Sequence, residues 1–375
     1  MAAQRPTPTT VAQHLDGTAQ AWHATVSPDG PFPPEKGRYH LYIGQSPLPP
    51  SPSPTMLTKT GLFCPFAHRA NLVRHLKGLQ SIIPITVVKP YPKGDKDGWP
   101  GWQFPSTPDE YPGATPDPLF HAKYLHELYF KADPNYTGRY SVPILWDTRT
   151  NTIVNNESAD LLRDLQTSFD PILPVDSPAR SLSLYPRALR AEIDTITPWL
   201  QRELNTGVYR AGFATTQEAY DAAVPRVFGA LNALERLLPL RGGPYILGDA
   251  LTELDIRAYC TVVRFDVVYV QHFKCNLGMN RHDYPQLRNW LMHLYFCVEG
   301  FKETTDFRHI KENYTKCHGD INPRGITPMG PWPDVEGSAG EVQRDLGKVR
   351  VGGVGMGAVR EVERELLGLC GVGGE

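Results

Sequence analysis

The sequence predicts a small mixed α/β domain followed by an all-helical domain. Three observations lead to this prediction. Short β-rich runs alternate with helical patterns up to about residue 170, whereas only helical patterns follow residue 185. A cysteine, Cys64, directly precedes a proline where the first helical pattern begins. The chain of 375 residues is long enough for two domains.

Composition excludes several classes of function. The net charge of −2 argues against a nucleic-acid partner or a polybasic membrane contact. No apolar run is long enough to cross a membrane, and the polar N-terminus lacks the apolar core of a signal peptide. The six cysteines are scattered without a CxxC pair, so we expect neither a zinc site nor a disulfide framework. A reduced, cytoplasmic protein without a metal is therefore expected.

The chain opens with a Pro- and Gly-rich extension over residues 1–37, which we expect to be partly disordered. The run His40–Ile43 predicts a first strand. Residues 45–61 are rich in Pro and Ser, and we interpret them as a loop before the first helix.

The first helix is predicted from Pro65 onward. Proline is tolerated at the first helical position, so Cys64 is expected at or near the N-cap. Gly78 supplies a C-terminal stop. Helical spacing places four apolar residues on one face: Phe66, Ala70, Val73 and Leu76.

A thiolate at this position would face unpaired backbone N–H groups and the positive end of the helix dipole. Both effects lower the pKa of a thiol, and His68 and Arg69 could add positive charge. The alternative is a buried structural cysteine. From the residues alone, Cys64 is either a nucleophile or a core residue.

Four further segments complete the first domain. Residues 89–120 contain many prolines and two tryptophans, which predicts a long loop between two strands. We call this segment the excursion. Pro143 begins a strand, which is consistent with a cis peptide bond. The other predicted elements are a strand at 82–88, a hairpin of strands at 141–147 and 152–155, and a helix at 157–165 with Asn156 as its N-cap.

Residues beyond 185 predict helices only. Thr252 and Asp255 form a variant capping box, to which we assign no catalytic role. The tail, residues 334–375, is Gly-rich and charged. The predicted helices lie at 186–204, 215–238, 252–270, 285–297 and 302–314.

This order of elements, with a reactive cysteine on the first helix, resembles a glutathione transferase. The detailed motifs are most similar to the glutathionyl-hydroquinone reductases, the omega-like Xi class of that superfamily. The resemblance covers about residues 20–333 in order. The matching segments are Gly37–Tyr42, Cys64–Arg69, Gly101–Phe104, Ala132–Arg139, Val142–Asp147, Asn155–Ser158, Asn205–Ala214, Leu251–Arg257, Arg264–Tyr269, His272–Cys275, Ile321–Pro323 and Gly330–Pro331.

The resemblance implies a thioredoxin-like, glutathione-binding domain at 38–170 and a helical domain at 185–333, and it implies a homodimer. It also implies residue roles. Cys64 would be the nucleophile, forming a mixed disulfide with glutathione, which serves as co-substrate. The residues that would bind glutathione are Trp102, Arg139, Val142, Glu157 and Ser158. Tyr209 and Tyr314 would meet the hydroquinone.

Each implied role has a structural alternative. Trp102 could only pin the excursion, and Arg139 could hold a turn. Glu157 and Ser158 could only start a helix. The two tyrosines, Tyr209 and Tyr314, could belong to the core.

Two features depart from the family pattern. Phe66 stands where the family usually has Trp, which removes an indole N–H and could shift substrate preference. Residues 45–61 separate the first strand from the cysteine, although the family joins them almost directly. An unspliced intron and an insertion of this lineage both explain that stretch.

Three functions remain for comparison. The first is glutathione-dependent reduction of glutathionyl-hydroquinones. The second is conjugation of glutathione to an electrophile in detoxification or secondary metabolism, which normally needs a Ser or Tyr hydroxyl to hold the glutathione thiolate. The third is a non-enzymatic glutathione-fold protein. A cysteine in place of the hydroxyl favours reduction, because it forms a disulfide.

Overall fold

The computed structural model describes residues 22–44, 63–91, 102–331 and 335. The predicted loop at 45–61 lies outside the described residues. The same holds for part of the excursion, for the start of the N-terminal extension and for nearly all of the tail.

The described residues divide into two compact units. The first takes those up to Leu182 together with Lys302–Thr327, and the second takes Ser183–Phe301 with those from Pro328 onward. The domain boundaries at 38–170 and 185–333 stay predictions.

A four-stranded mixed sheet lies at the centre of the first unit, in the order β2–β1–β3–β4. β1 pairs parallel with β2 and antiparallel with β3, and β3 and β4 form the predicted hairpin. All five residues of β1 are buried, as expected for a strand flanked on both sides. The strands are β1 (Tyr39–Ile43), β2 (Ile85–Val87), β3 (Ile144–Asp147) and β4 (Thr152–Asn155).

An ion pair fixes this hairpin to β1. The buried guanidinium of Arg38 donates from Nε and from its terminal nitrogen to the two carboxylate oxygens of Asp147, over 2.8 and 2.7 Å. Asp147 also accepts from the backbone of Arg149 and the hydroxyl of Thr150, which organise the turn. Burial raises the pKa of Asp147, but these donors outweigh it and lower that pKa overall.

Three longer helices accompany the sheet: α1 (Pro65–Leu76), α2 (Leu125–Ala132) and α3 (Ser158–Asp164). Cys64 is the N-cap of α1, as predicted. The helix ends at its C-cap Lys77, and Gly78 follows with a φ of 62° that favours glycine. α1 packs against α3, so the cysteine-bearing helix is supported by the helix that starts at Ser158.

Two local predictions were wrong. α2 was not expected, although its buried Leu125, Leu128 and Tyr129 have helical spacing and a capping box joins Tyr124 to Glu127. The N-cap of α3 is Glu157 rather than Asn156. The side-chain oxygen of Asn156, Oδ1, instead accepts the backbone N–H of Trp22 over 2.9 Å, so it is not used for capping.

The described part of the N-terminal extension lies along the outer edge of β4. Ala24 donates its N–H to Val154 over 3.1 Å, and Asn156 donates its N–H to Trp22 over 3.2 Å. An antiparallel bridge joins His23 and Asn155. The extension therefore covers an edge that would otherwise expose unpaired backbone groups.

The excursion is tied to a helix of the same unit, α11 (Phe307–Cys317). His309 Nε2 donates to the carbonyl of Pro112, and Asn313 Nδ2 donates to that of Pro90, each over 2.7 Å. Tyr111 donates its hydroxyl to Glu312 over 2.5 Å. These bonds give a physical reason why Lys302–Thr327 groups with the first unit.

The remaining helices are α4 (Pro178–Ser181) in the first unit, and α5 (Arg190–Leu200), α6 (Gly207–Gly212), α7 (Gln217–Arg241), α8 (Glu253–Val262), α9 (Asn280–Asp283) and α10 (Pro285–Cys297) in the second. The fold class predicted from the sequence is therefore confirmed. Within the described residues, no helix is long and apolar enough to cross a membrane.

The predicted capping box starts α8. The fully buried carboxylate of Asp255 accepts bonds from the backbone N–H and the hydroxyl of Thr252 at 2.9 and 3.0 Å. It also accepts from the N–H of Ile246 at 2.9 Å and from Trp290 Nε1 at 3.0 Å. One carboxylate thus joins the start of α8 to the preceding loop and to α10.

We expect Asp255→Ala to lower the free energy of unfolding by about 3 kcal/mol or more, because it leaves several buried donors without an acceptor. Urea-induced unfolding followed by circular dichroism measures this change. Asp249→Ala, at an exposed position in the same region, is the matched control and should change stability by less than about 0.5 kcal/mol. Equal effects of the two substitutions would contradict the role assigned to Asp255.

Candidate active site

Cys64 occupies the N-terminus of α1 with its thiol half-buried. Its backbone is extended, and its side chain does not cap the first turn of the helix. Sγ lies 3.8 Å from the carbonyl oxygen of Val142, to which the thiol donates. A partly accessible sulfur at the positive end of a helix is suited to react as a thiolate.

A hydrogen bond joins the two residues that flank residues 45–62, Gly44 and Phe63. The N–H of Phe63 donates to the carbonyl of Gly44 over 3.3 Å, so the helix start is held at the end of β1. A Cβ at Gly44 would lie 2.4 Å from the Phe63 ring, and only glycine leaves room for that ring. The position of Cys64 is therefore set by described residues on both sides of the predicted loop.

Trp102 belongs to the described part of the excursion and is buried. Its ring lies 4.7 Å from the ring of Phe63, which precedes Cys64. Its carbonyl accepts the N–H of Leu125, the first residue of α2, over 2.8 Å. Trp102 is thus anchored by its backbone, and its ring contacts Phe63, the residue directly before Cys64.

Val142 precedes β3 and is joined to Pro143 by the cis peptide bond that the sequence suggested. Its side chain is buried, and its carbonyl faces Cys64. Backbone groups beside a strand can pair with an extended peptide as an added strand would. Val142 can therefore hold a peptide-like ligand next to the thiol.

Glu157 and Ser158 form the start of α3. Glu157 Oε1 accepts the N–H of Ala159 at 3.0 Å and the hydroxyl of Ser158 at 3.2 Å. The other carboxylate oxygen, Oε2, makes no hydrogen bond to the described part of the chain. The residue therefore starts the helix with one carboxylate oxygen, Oε1.

Arg139 is half-buried in a tight loop before Val142. The hydroxyl of Tyr136 donates to the carbonyl of Arg139 over 2.9 Å. Between them, a Cβ at Gly138 would lie 2.4 Å from the Tyr136 hydroxyl oxygen, so a side chain there would displace the loop. Arg139 is thus held by its own backbone.

The two tyrosines lie in different units, and each is described within its own. Tyr314 is buried on α11 in the first unit, with its ring edge-on to His318 at 5.5 Å. Tyr209 is half-buried on α6 in the second unit, 5.1 Å from the ring of Phe273.

The two basic residues after the cysteine also have defined partners. His68 is buried and hydrogen-bonded through Nε2 to the hydroxyl of Thr304 over 2.8 Å. The guanidinium of Arg69 lies 4.9 Å from the centre of the Phe66 ring. No cluster of three or more His, Cys, Asp or Glu residues suited to a metal occurs among the residues that the structure covers.

Sequence reasoning missed two residues that support the site, Phe63 and Tyr129. An apolar residue directly before an N-cap is a known packing signal, and Phe63 occupies that position. Tyr129 belongs to the unpredicted helix α2, and the helical spacing of Leu125, Leu128 and Tyr129 was the signal that could have revealed it.

Comparison with known proteins gives a consistent result. Residues 63–168 match the family described as "Glutathione S-transferase, N-terminal domain", and residues 217–291 match "Glutathione S-transferase, C-terminal domain". The chain is 48% identical over 305 residues to the Schizosaccharomyces pombe protein "Glutathione S-transferase omega-like 2", covering 81% of this chain and 89% of that protein.

Two further relatives carry related descriptions. The Escherichia coli "Glutathionyl-hydroquinone reductase YqjG" is 43% identical over 310 residues, covering 82% of this chain and 83% of that protein. Its solved glutathione-bound structure matches with a TM-score of 0.72 at 41% identity, over 86% of this chain and 96% of that one. The glutathione S-transferase Xi of Phanerochaete chrysosporium matches with a TM-score of 0.74 at 45% identity, over 85% and 93%.

The cysteines in the described part of the chain offer a test of the site. Cys260 and Cys275 are buried, and burial raises the pKa of Cys275 to about 12. Cys297 is exposed but is the last residue of α10, whereas Cys64 is less exposed and lies at the start of α1. Exposure and helix position therefore predict opposite orders of reactivity.

We expect iodoacetamide at neutral pH to alkylate Cys64 roughly tenfold faster than Cys297, because the helix N-terminus stabilises a thiolate and the C-terminus does not. Peptide mass spectrometry after short labelling times measures both rates in one sample. Faster labelling of Cys297 would mean that exposure alone controls reactivity.

Proposed function

Because the chain belongs to the glutathione S-transferase family, we propose that it is a glutathione-dependent reductase of glutathionyl-hydroquinones that acts through Cys64. The observation that carries the proposal is the 3.8 Å approach of Cys64 Sγ to the carbonyl of Val142. A peptide bound along Val142 would bring its own sulfur next to the thiol. This arrangement favours exchange between two sulfur atoms.

In the first step the Cys64 thiolate attacks the sulfur of the glutathionyl-hydroquinone thioether. An S–S bond forms between Cys64 and glutathione while the C–S bond breaks. The electron pair of the C–S bond and one proton go to the ring carbon, which gives the free hydroquinone. The product on the protein is a mixed disulfide.

In the second step a glutathione thiolate attacks the sulfur of the bound glutathione. Glutathione disulfide leaves, and the Cys64 thiolate is restored. The net reaction converts one glutathionyl-hydroquinone and one glutathione into hydroquinone and glutathione disulfide. The hydroquinone carbon is reduced, and two glutathione sulfurs are oxidised.

Glutathione is proposed to bind along the segments that surround Cys64. Val142 would pair with the cysteinyl backbone. Glu157 would bind the γ-glutamyl ammonium through the carboxylate oxygen not used for capping, and Ser158 would hold its carboxylate at the start of α3. Trp102 would cover the ligand, and Arg139 would meet a carboxylate.

Tyr209 and Tyr314 are proposed to serve the hydroquinone. A tyrosine hydroxyl can bond a phenolic oxygen and can supply the proton that the leaving ring carbon takes up.

Conjugation of glutathione to an electrophile is the alternative reaction of this family. It requires a group that holds a free glutathione thiolate, whereas the Cys64 thiolate can attack a glutathionyl sulfur, displace the group bonded to it and form a mixed disulfide. A cytoplasmic location and a homodimer complete the proposal, with glutathione and a quinone-derived molecule as partners.

We expect Cys64→Ala to abolish reduction of glutathionyl-menadiol, because the substitution removes the thiolate that is proposed to form the mixed disulfide. Wild-type protein incubated with substrate alone should carry one glutathione on Cys64, detected by mass spectrometry of the peptide. Cys297→Ala should retain full turnover and serves as the control. Undiminished turnover by Cys64→Ala would reject the mechanism.

Glu157→Gln separates binding from helix capping, since Gln keeps an acceptor for the N–H of Ala159 but loses the charge. We expect it to weaken glutathione binding by about tenfold to a hundredfold, the usual value of a charge-assisted bond. Calorimetric titration measures this loss. N-acetyl-glutathione, which lacks the ammonium group, should bind both proteins equally. A glutathione affinity unchanged by the substitution would remove Glu157 from the site.

A further inference from the structure

The hydroxyl of Tyr129 joins two segments that are far apart in the sequence. Tyr129 is fully buried on α2. Its hydroxyl donates to the carbonyl of Ser141 over 2.7 Å, and it accepts from the N–H of Ser141 over 3.1 Å and from Asn156 Nδ2 over 3.2 Å. One donor and two acceptor positions are the whole capacity of a hydroxyl group, so it is saturated.

Each partner directly precedes a residue proposed to bind glutathione. Ser141 precedes Val142, and Asn156 precedes Glu157. The phenol therefore links the segment assigned to the cysteinyl backbone with the segment assigned to the γ-glutamyl group. The spacing of these two segments decides whether both ends of one ligand can bind together.

The same cluster extends to the third segment of the site. The Tyr129 ring stacks on Tyr136 at 4.9 Å, and the Tyr136 hydroxyl holds the carbonyl of Arg139. Trp22 contacts both rings, at 5.7 Å from Tyr129 and 5.0 Å from Tyr136. Its backbone N–H and carbonyl bond to Asn156 from the opposite side.

We propose that Tyr129 is a positioning residue of the glutathione site, whose hydroxyl fixes the distance between Val142 and Glu157. This inference rests on the proposed function, because it takes glutathione as the ligand of those two residues. Tyr129 acts through Ser141 and Asn156 and does not itself touch the ligand. The loss of its hydroxyl would let the two segments move independently, although α2 and the sheet would persist.

Burial keeps the hydroxyl of Tyr129 protonated. Desolvation is the main cause that raises the pKa of Tyr129, and the bonds from Ser141 and Asn156 oppose it without reversing the direction. The phenol therefore stays protonated at neutral pH and always supplies one donor to the Ser141 carbonyl. The link is independent of pH over the range in which glutathione exchange takes place.

Tyr129→Phe tests the proposal, since it removes one oxygen atom and keeps the ring in its stack. Tyr140→Phe is the matched control. Tyr140 is also buried, its ring lies 5.5 Å from that of Tyr129, and its hydroxyl makes no hydrogen bond to the described residues. Both substitutions remove a phenolic oxygen from a buried tyrosine of one aromatic cluster, but only one of these oxygens joins the two segments.

Two readouts separate positioning from a general loss of structure. The first is the dissociation constant of glutathione from calorimetric titration. The second compares two reactions of Cys64. In one, the thiolate displaces glutathione from glutathione disulfide and forms the mixed disulfide; in the other, it is alkylated by iodoacetamide, which needs no binding site.

We expect Tyr129→Phe to raise the glutathione dissociation constant about tenfold and to slow the reaction with glutathione disulfide by a similar factor. The iodoacetamide rate should stay within about twofold of wild type, because the substitution leaves the helix N-terminus at Cys64 unchanged. Tyr140→Phe should match wild type in all three. Equal affinities of the two variants, or a parallel loss of the iodoacetamide rate, would overturn the proposal.

Asn156→Ala provides an independent test if Tyr129→Phe does not fold, because it breaks the same link from the other side. It should weaken glutathione binding, and adding Tyr129→Phe to it should bring no further loss. Additive losses would mean that the two residues act separately. If wild-type protein fails to bind glutathione, the proposed function falls together with this inference; if wild type binds and only the variants behave alike, the inference alone falls.

Discussion

The hydrogen bond between the N–H of Phe63 and the carbonyl of Gly44 is the constraint on which the site depends. It returns the chain to the end of β1 and fixes where α1 can begin. Pro65 is favoured as the first residue of a helix, so the preceding residue, Cys64, becomes the N-cap. α1 packs on α3, and the Cys64 sulfur lies 3.8 Å from the carbonyl oxygen of Val142. The sequence between Gly44 and Phe63 can change in length without moving the cysteine as long as this bond remains.

The proposed chemistry depends on which side-chain atom, oxygen or sulfur, occupies the N-terminus of α1. A hydroxyl there can only stabilise the thiolate of a bound glutathione, whereas a cysteine thiolate can also attack a glutathionyl sulfur and displace the group bonded to it. Both groups gain from the same dipole and the same backbone donors. Conjugation and reduction therefore need nearly the same protein framework, and the identity of one side chain separates them. This explains how a chain related to conjugating transferases can support the opposite reaction.

Local sequence signals predicted those elements whose structure is determined by residues close together in the sequence. The start of α1 needs only Pro65, the capping box needs Thr252 and Asp255, and the β3–β4 hairpin needs a short turn. Prediction failed where a distant residue decides the outcome. Asn156 is a good N-cap by type, but its side chain bonds to Trp22 and Tyr129, and Glu157 takes the cap. α2 was missed because it is only eight residues long and rich in aromatic residues, so it depends on tertiary packing.

The same distant contacts change how the N-terminal extension is interpreted. Composition separates residues 1–37 from the sheet that follows, and such a segment is easily regarded as an accessory. The hydrogen bonds instead make Trp22 and Ala24 the outermost strand-like layer beside β4. Trp22 meets Asn156 at its backbone and Tyr129 at its ring, so it closes the cluster that separates Val142 from Glu157. Burying an aromatic ring against two tyrosines favours one arrangement of the cluster over its alternatives. A segment at the edge of the sheet thereby supports the residues next to the proposed glutathione site.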